Sequence, residues 1–526
     1  MKADAIYING NIYTVDDYFS MAKSIAVKGD KIIYVGDNTK ALYNITGEST
    51  KMVDLEGETV IPGLIEGHMH FLSEGQISLN INAFKLSKEK IIHLVKEKAE
   101  SLSPGEWIEG TGWNQMEWPN QAWPTKEELD TVSPDNPVVL HRVDLHCMWV
   151  NSRALKAAGI TKNAPDLQGG EIVKDKNGNI TGILVDTARQ AVFDAIPPLT
   201  DDMKLKAYAL AQEECFYYGL TSIFDAGSTF EEIGLLKKAY NAGKLKLRVY
   251  ETLLVSDDSD VKYIESGLAP VKELFNNRLS INAVKIFADG SVGSRSAMFF
   301  DDYADRPGHK GKGIYTDEAL YKLVRRAGEN GFQVATHAIG DAAIRQVMDT
   351  YEKVLNELSL RDARFRIEHF LIPTPSDVPR AVKLGIVPTL QAGGAISDMG
   401  MLKERLGAAR VGSGYVWREI IEAGGYFVGG SDATVDILNP YYGIYAGVAR
   451  DGRYEDYRLT REEALRSYTI WAAKGQFEES IKGSLEVGKL ADFVVIDRDI
   501  MTCPLADMKE TQVLLTVLGG EVVYKI

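Results

Sequence analysis

Cysteine is nearly absent: Cys147, Cys215 and Cys503 are the only three in 526 residues. They are far apart, odd in number and form no Cys-x-x-Cys pair, which excludes a disulfide framework and thiolate zinc sites. Long apolar runs are missing too. No stretch reaches about 18 apolar residues, so no transmembrane helix is expected. The N-terminus, "MKADAIYINGNIYTVDD", alternates apolar and polar residues and lacks the unbroken core of a secretory signal. Positive charge is in deficit, with 59 Lys+Arg against 74 Asp+Glu and a net charge of −15. Nucleic acid and anionic membranes require a cationic surface, so neither is an expected partner. Internal repeats and low-complexity segments are also lacking. What is there is 45% hydrophobic and 25% charged, the composition of a globular protein of several domains. A cytoplasmic enzyme is the class these absences leave.

The two ends share a texture that the middle does not. Residues 4–57 ("AIYINGNIYTV", "SIAVKGDKIIYVGD", "KMVDLEGETV") and the last stretches ("GSLEVGKLADFVVIDRD", "TQVLLTVLGGEVVYKI") alternate β-branched and polar residues between Asn-Gly and Gly-Asp turns. They predict one composite β-sandwich domain from residues 1–58 and 481–526. Between them, eight β-rich apolar runs alternate with helical stretches. The runs are 59–67, 219–227, 246–255, 281–290, 331–340, 364–370, 385–391 and 424–433. Near-continuous apolar strands separated by helices form a parallel sheet covered by helices, and eight such units close a (β/α)8 TIM barrel. The α/β barrel is placed at 59–480. Residues 72–218 are too long for one loop and form an insertion, with a ninth strand-like run at 137–144 and a hairpin at 170–186.

Histidine is scarce as well, eight in the whole chain, yet its placement is regular. His68 and His70 follow the first run, and Lys285 lies near the end of the fourth. His337 ends the fifth, His369 the sixth and Asp432 the eighth. A barrel builds its active site at the C-terminal ends of its strands, so these side chains converge. Imidazole nitrogens and a carboxylate suit a borderline cation such as Zn²⁺, one or two ions. A bound cation lowers the pKa of water from 15.7 towards ~7, and Asp432 can carry the proton onward to a leaving group. An ammonium cannot ligate a metal, so Lys285 fits only as a neutral amine, which can take up CO2 as a carbamate.

This order of motifs resembles the amidohydrolase superfamily. "VIPGLIEGHMH" is similar to its opening motif and "GSLEVGKLADFVVID" to its return into the small β domain. The segments "EWIEGTGWNQMEW" (106–118), "HRVDLHCMWVNSRAL" (141–155), "VKIFADGSVGSRSA" (284–297) and "ATHAIGDAAI" (335–344) resemble the amidohydrolase-3, YtcJ-like branch. The resemblance spans nearly the whole chain. It implies His68, His70, Lys285, His337, His369 and Asp432 as the metal set, with Lys285 carboxylated and Asp432 the catalytic acid/base. It implies a catalytic role for His146 in polarising a substrate carbonyl. The insertion would cover the barrel mouth, with Trp113, Asn114 and Trp118 lining a substrate pocket. Asp289 and Arg295 would shape the site or pair with each other, and Gln391 would contact substrate. His93 and His309 read as surface residues, and His141 is given no role.

Three functions remain open on this reading. The first is hydrolysis of a C–N bond in an amide, formamide or cyclic imide. The second is deamination of an aromatic heterocycle at a mononuclear centre, with His369 or Glu368 assisting. The third is a non-catalytic scaffold of the same fold, against which the complete ligand set speaks. A homodimer is the default assembly.

Overall fold

The computed structural model describes residues 2–37, 40–142, 147–162, 164, 170–255, 269–412, 414–450 and 457–526. Eight parallel strands form its centre: β1 (Leu64–Met69), β2 (Leu220–Ser228), β3 (Arg248–Leu254) and β4 (Leu279–Phe287), then β5 (Gln333–Ala338), β6 (Arg366–His369), β7 (Val387–Leu390) and β8 (Val428–Gly429). Each pairs with its neighbour in chain order. The parallel bridge Met69↔Ala433 closes the ring between β1 and the segment after β8. Each of the eight runs expected from the sequence contributes a barrel strand. The connecting helix Asp317–Glu329 starts where its punctuation places it, with the Thr316 side chain accepting from the Ala319 N–H.

The first run does not stay in one sheet. Thr59–Pro62 pairs with Asn11–Tyr13 and Phe493–Ile496, and the chain enters the barrel only at Leu64. Gly63 is the crossing point. A Cβ there would stand 2.2 Å from Thr221 Oγ1, so the chain turns only because the residue has no side chain. Gly63→Ala is expected to cost about 1–3 kcal/mol by overpacking, read as a lower urea midpoint. An unchanged midpoint would refute the close-approach argument.

Thr59–Pro62 belongs to a six-stranded sheet that takes strands from both ends of the chain, through Phe493–Ile496, Val513–Leu518 and Glu521–Lys525. A four-stranded sheet (Lys31–Gly36, Ser24–Lys28, Ala5–Ile8, Lys51–Asp54) faces it. Ile12, Val60, Phe493 and Val517 of the first share a buried core with Tyr7, Ile25 and Ile32 of the second. The Tyr7 and Phe493 rings meet edge-to-face, 4.9 Å apart. This is a β-sandwich, stabilised by alternate apolar residues from each strand.

Leu72–Ala211 is a second compact unit, whose boundary falls inside the helix Asp201–Tyr217. It carries its own six-stranded sheet, which includes Val138–Arg142 and the antiparallel hairpin Gly170–Lys174/Ile180–Asp186. Two apolar clusters pack within this unit, one around Trp113 and Ile91 and one around Val139 and Leu155. Among the described residues, no helix is long and apolar enough to cross a membrane.

Candidate metal centre

Alternation along β1 sets the first candidate ligands. Glu66, His68 and His70 are two residues apart, so in extended chain they fall on the same side of the strand. Between them Gly67 lets β1 and β8 approach, since a Cβ there would stand 2.3 Å from the Gly429 carbonyl oxygen. The seam is then laced beside the site. Asp432 N–H donates to the His68 carbonyl at 2.8 Å, and His70 N–H donates to the Ala433 carbonyl at 2.6 Å. Glu66, fully buried, accepts at Oε1 from the N–H groups of His68 (3.0 Å) and Ser431 (2.8 Å). Two ligand-bearing segments far apart in sequence are thereby held in one register.

Asp432 Oδ1 lies 3.4 Å from His68 Nε2 and 3.3 Å from His70 Nε2. Ligand atoms of these three residues all lie within 4.8 Å of one another. That Oδ1 is buried and makes no hydrogen bond, which is costly for a carboxylate oxygen unless something else occupies its lone pairs. A divalent cation shared with the two imidazoles answers that demand, so the donor set fits a metal. Burial would raise the Asp432 carboxyl, but the adjacent His68 and His70 imidazoles, with His369, hold it well below the usual carboxylate range. Asp432 (φ 59°) and His369 (φ 73°) both adopt left-handed backbone, a conformation Asp and His tolerate better than most residues. Each thereby turns away from its strand direction at the barrel rim.

The other expected ligands stand beside this group. Lys285 Nζ is 3.5 Å from His68 Nε2, and burial pulls its pKa down to about 8. The His369 ring lies 5.0 Å from His68 and 4.5 Å from His337, centre to centre. Burial pulls His369 down to about 4 and His337 well below its usual value, so both are neutral imidazoles with a lone pair to offer. The His369 Nδ1 faces Gln391 Oε1 at 2.9 Å. Gln391, expected at the substrate, therefore orients an imidazole.

Several expectations are corrected. Trp113 and Trp118 are core residues of the second compact unit. Both are buried, and their indole nitrogens donate to the carbonyls of Leu140 and Leu86. Large apolar rings with one donor suit that role. Asn114 caps the short helix Gln115–Glu117 through the Met116 N–H. Asp289 and Arg295 do not pair. Asp289 accepts from the N–H groups of Met298, Ile339 and Gly340, and one of its oxygens is 3.6 Å from His337 Nε2. Arg295 pairs with Asp305 at 2.6 Å. His309 is half-buried, its Nε2 2.8 Å from the Arg295 carbonyl, while His93 is exposed and pairs with Glu97. His141 stacks on Phe193. His146 lies outside the described residues.

Four buried ionisable residues near the barrel axis escaped the sequence reading: Glu66, Asp225, Glu251 and Arg366. Asp225 accepts from Phe71 N–H beside His70 and faces Glu251 across the β2–β3 pairing. Burial pushes Asp225 up to about 6 and Glu251 well above its usual value. Arg366 holds Glu368, which contacts His68. A signal existed. Charged residues two apart in an otherwise apolar strand ("RIEH", "EGH") share one face, and buried charges are retained only when paired.

The resemblance to known proteins covers the same ground. Residues 51–524 match the sequence model of the amidohydrolase family. The putative amidohydrolase YtcJ of Bacillus subtilis (strain 168) is 31% identical, over 99% of this chain and 99% of its own length. The N-substituted formamide deformylase of Arthrobacter pascens is 29% identical, over 99% of this chain and 98% of its own. An uncharacterized metal-dependent hydrolase from Pyrococcus furiosus shares the fold with a TM-score of 0.79 and 26% identity, over 95% of this chain and 100% of that one. A match running from the small sheet through every strand of the barrel and back is one of whole architecture, and the chain belongs to the amidohydrolase family.

Proposed function

We propose that the protein is a metal-dependent hydrolase of a C–N bond in a small amide, formamide or cyclic imide. The observation that carries this reading is the buried, unbonded Asp432 Oδ1 between His68 Nε2 and His70 Nε2. His68, His70 and Asp432 would hold the cation, Zn²⁺ by donor type, with His337 and His369 placed for a second. When bound, a divalent cation lowers the pKa of water from 15.7 to about 7 and polarises a carbonyl. The chain supplies the proton traffic. Asp432 accepts a proton from the attacking water and delivers it to the leaving nitrogen. Lys285 has a depressed pKa because it is buried. Its neutral amine adds CO2, releases a proton and becomes a carbamate whose oxygens can ligate where an ammonium cannot. The deformylase among the relatives supports an amide-type bond. Deamination assisted by Glu368 is disfavoured, because its oxygens already engage Arg366 and His68.

Dialysis against a chelator is expected to lower turnover on a responsive amide or formamide at least roughly 10²-fold, with recovery on adding Zn²⁺. Full activity without metal would overturn the reading. Ammonia release from a heterocycle panel with no amide cleavage would shift it to deamination.

A further inference from the structure

We propose that Arg366 and Glu368 are a positioning pair for the metal centre, holding His68 by Nδ1 so that Nε2 is the nitrogen offered to a cation beside Asp432. This rests on the metal reading above and adds residues to it. The arrangement is a chain of hydrogen bonds running inward across β6. Arg366 donates from Nε to Glu368 Oε1 at 2.7 Å and from Nη2 to Oε2 at 3.1 Å. Glu368 Oε2 in turn contacts His68 Nδ1. A carboxylate held by a guanidinium is an acceptor only, so the proton on that contact belongs to His68 Nδ1. The opposite nitrogen, Nε2, is then the one left to ligate, and it lies 3.4 Å from Asp432 and 3.5 Å from Lys285.

Arg366, Glu368 and His68 are each fully buried. Arg366 is itself pinned, donating to the Gly67 carbonyl at 2.7 Å and to Thr389 Oγ1 at 2.9 Å, with its guanidinium 3.6 Å above the Phe224 ring. The Gly67 contact ties the same arginine to the backbone beside His68, so ring and main chain are set together. His369 is backed differently, by the neutral Gln391 amide. A carboxylate behind an imidazole raises its basicity as a ligand more than an amide does. His68 is therefore backed by a carboxylate where His369 is backed by an amide.

The test is Zn²⁺ affinity of the metal-free protein, measured by competition with a chromogenic chelator, for the wild type, Glu368→Gln, His68→Ala and the combined variant. Glu368→Gln is expected to weaken Zn²⁺ binding roughly 10–100-fold. In the His68→Ala background the same change is expected to alter affinity less than about twofold, because a residue acting through His68 has nothing left to act on. Equal losses in both backgrounds, or a folded Glu368→Gln with wild-type affinity, would overturn the proposal. Because Glu368→Gln leaves a buried guanidinium unpaired, Arg366→Met/Glu368→Gln is measured beside it and is expected to show the same loss. If neither variant folds, histidine-selective ¹⁵N NMR of the wild type decides. An Nδ1-protonated imidazole that vanishes in His68→Ala supports the pair, and an Nε2-protonated His68 refutes it. Failure of the wild type itself to bind Zn²⁺ would instead overturn the metal reading.

Discussion

Asp432→Asn is expected to keep the fold and lose turnover by about 10²–10⁴-fold, the usual contribution of a positioned acid/base. The substitution is isosteric, and Asn is one of the few residues that accept the left-handed backbone found at this position (φ 59°). The seam bond from the residue 432 N–H to the His68 carbonyl is made by main chain and survives. What disappears is the anion. In the folded protein burial opposes the carboxylate, and His68 and His70 overcome that opposition to keep it charged. An amide cannot take up a proton and return it. Turnover and metal content are to be measured on the same Zn²⁺-reconstituted sample. Loss of turnover at unchanged metal content supports the acid/base role, whereas full activity would remove Asp432 from the mechanism.

Arg366→Met is expected to destabilise the protein by about 3–5 kcal/mol, the cost of leaving a buried partner charge unmatched. Burial works against the Glu368 carboxylate, and Arg366 followed by His68 holds its pKa well below the ordinary value. Removing the guanidinium strands that charge in the barrel interior and also frees the Gly67 carbonyl and the Thr389 hydroxyl. Replacing both members with neutral side chains is expected to recover most of the loss, because a buried ion pair adds little beyond repaying its own desolvation. Urea unfolding monitored by far-ultraviolet dichroism measures both variants. A single variant within 1 kcal/mol of wild type would show that water or a neighbour reaches Glu368.

Much of the architecture was legible because period and punctuation are local properties. Eight apolar runs separated by helical stretches require a parallel barrel, and the ligand-bearing ends of those runs fall at one rim whatever the details. The sequence leaves a role open where one residue type serves two purposes. Trp113 and Trp118 carry the same signal whether they line a pocket or fill a core, and only the packing of Ile91, Trp149 and the Leu72–Ala211 sheet places them in the core. For Asp289 and Arg295 the sequence offers two readings, shaping the site or pairing with each other. Backbone donors from the segment after β5 claimed the first, and Asp305 claimed the second.

The sequence by itself determined the barrel, the sandwich built from both ends, and the order His68, His70, Lys285, His337, His369, Asp432 around the rim. These follow from hydrophobic period and strand-end position, which are written along the chain. Only the tertiary structure decided what stands behind those side chains: Glu368 on His68, Arg366 on Glu368, Gln391 on His369. Such partners are chosen across strands by register and by the need to pair every buried charge. Residues 300 apart in sequence, as His68 and Glu368 are, meet only when the ring closes.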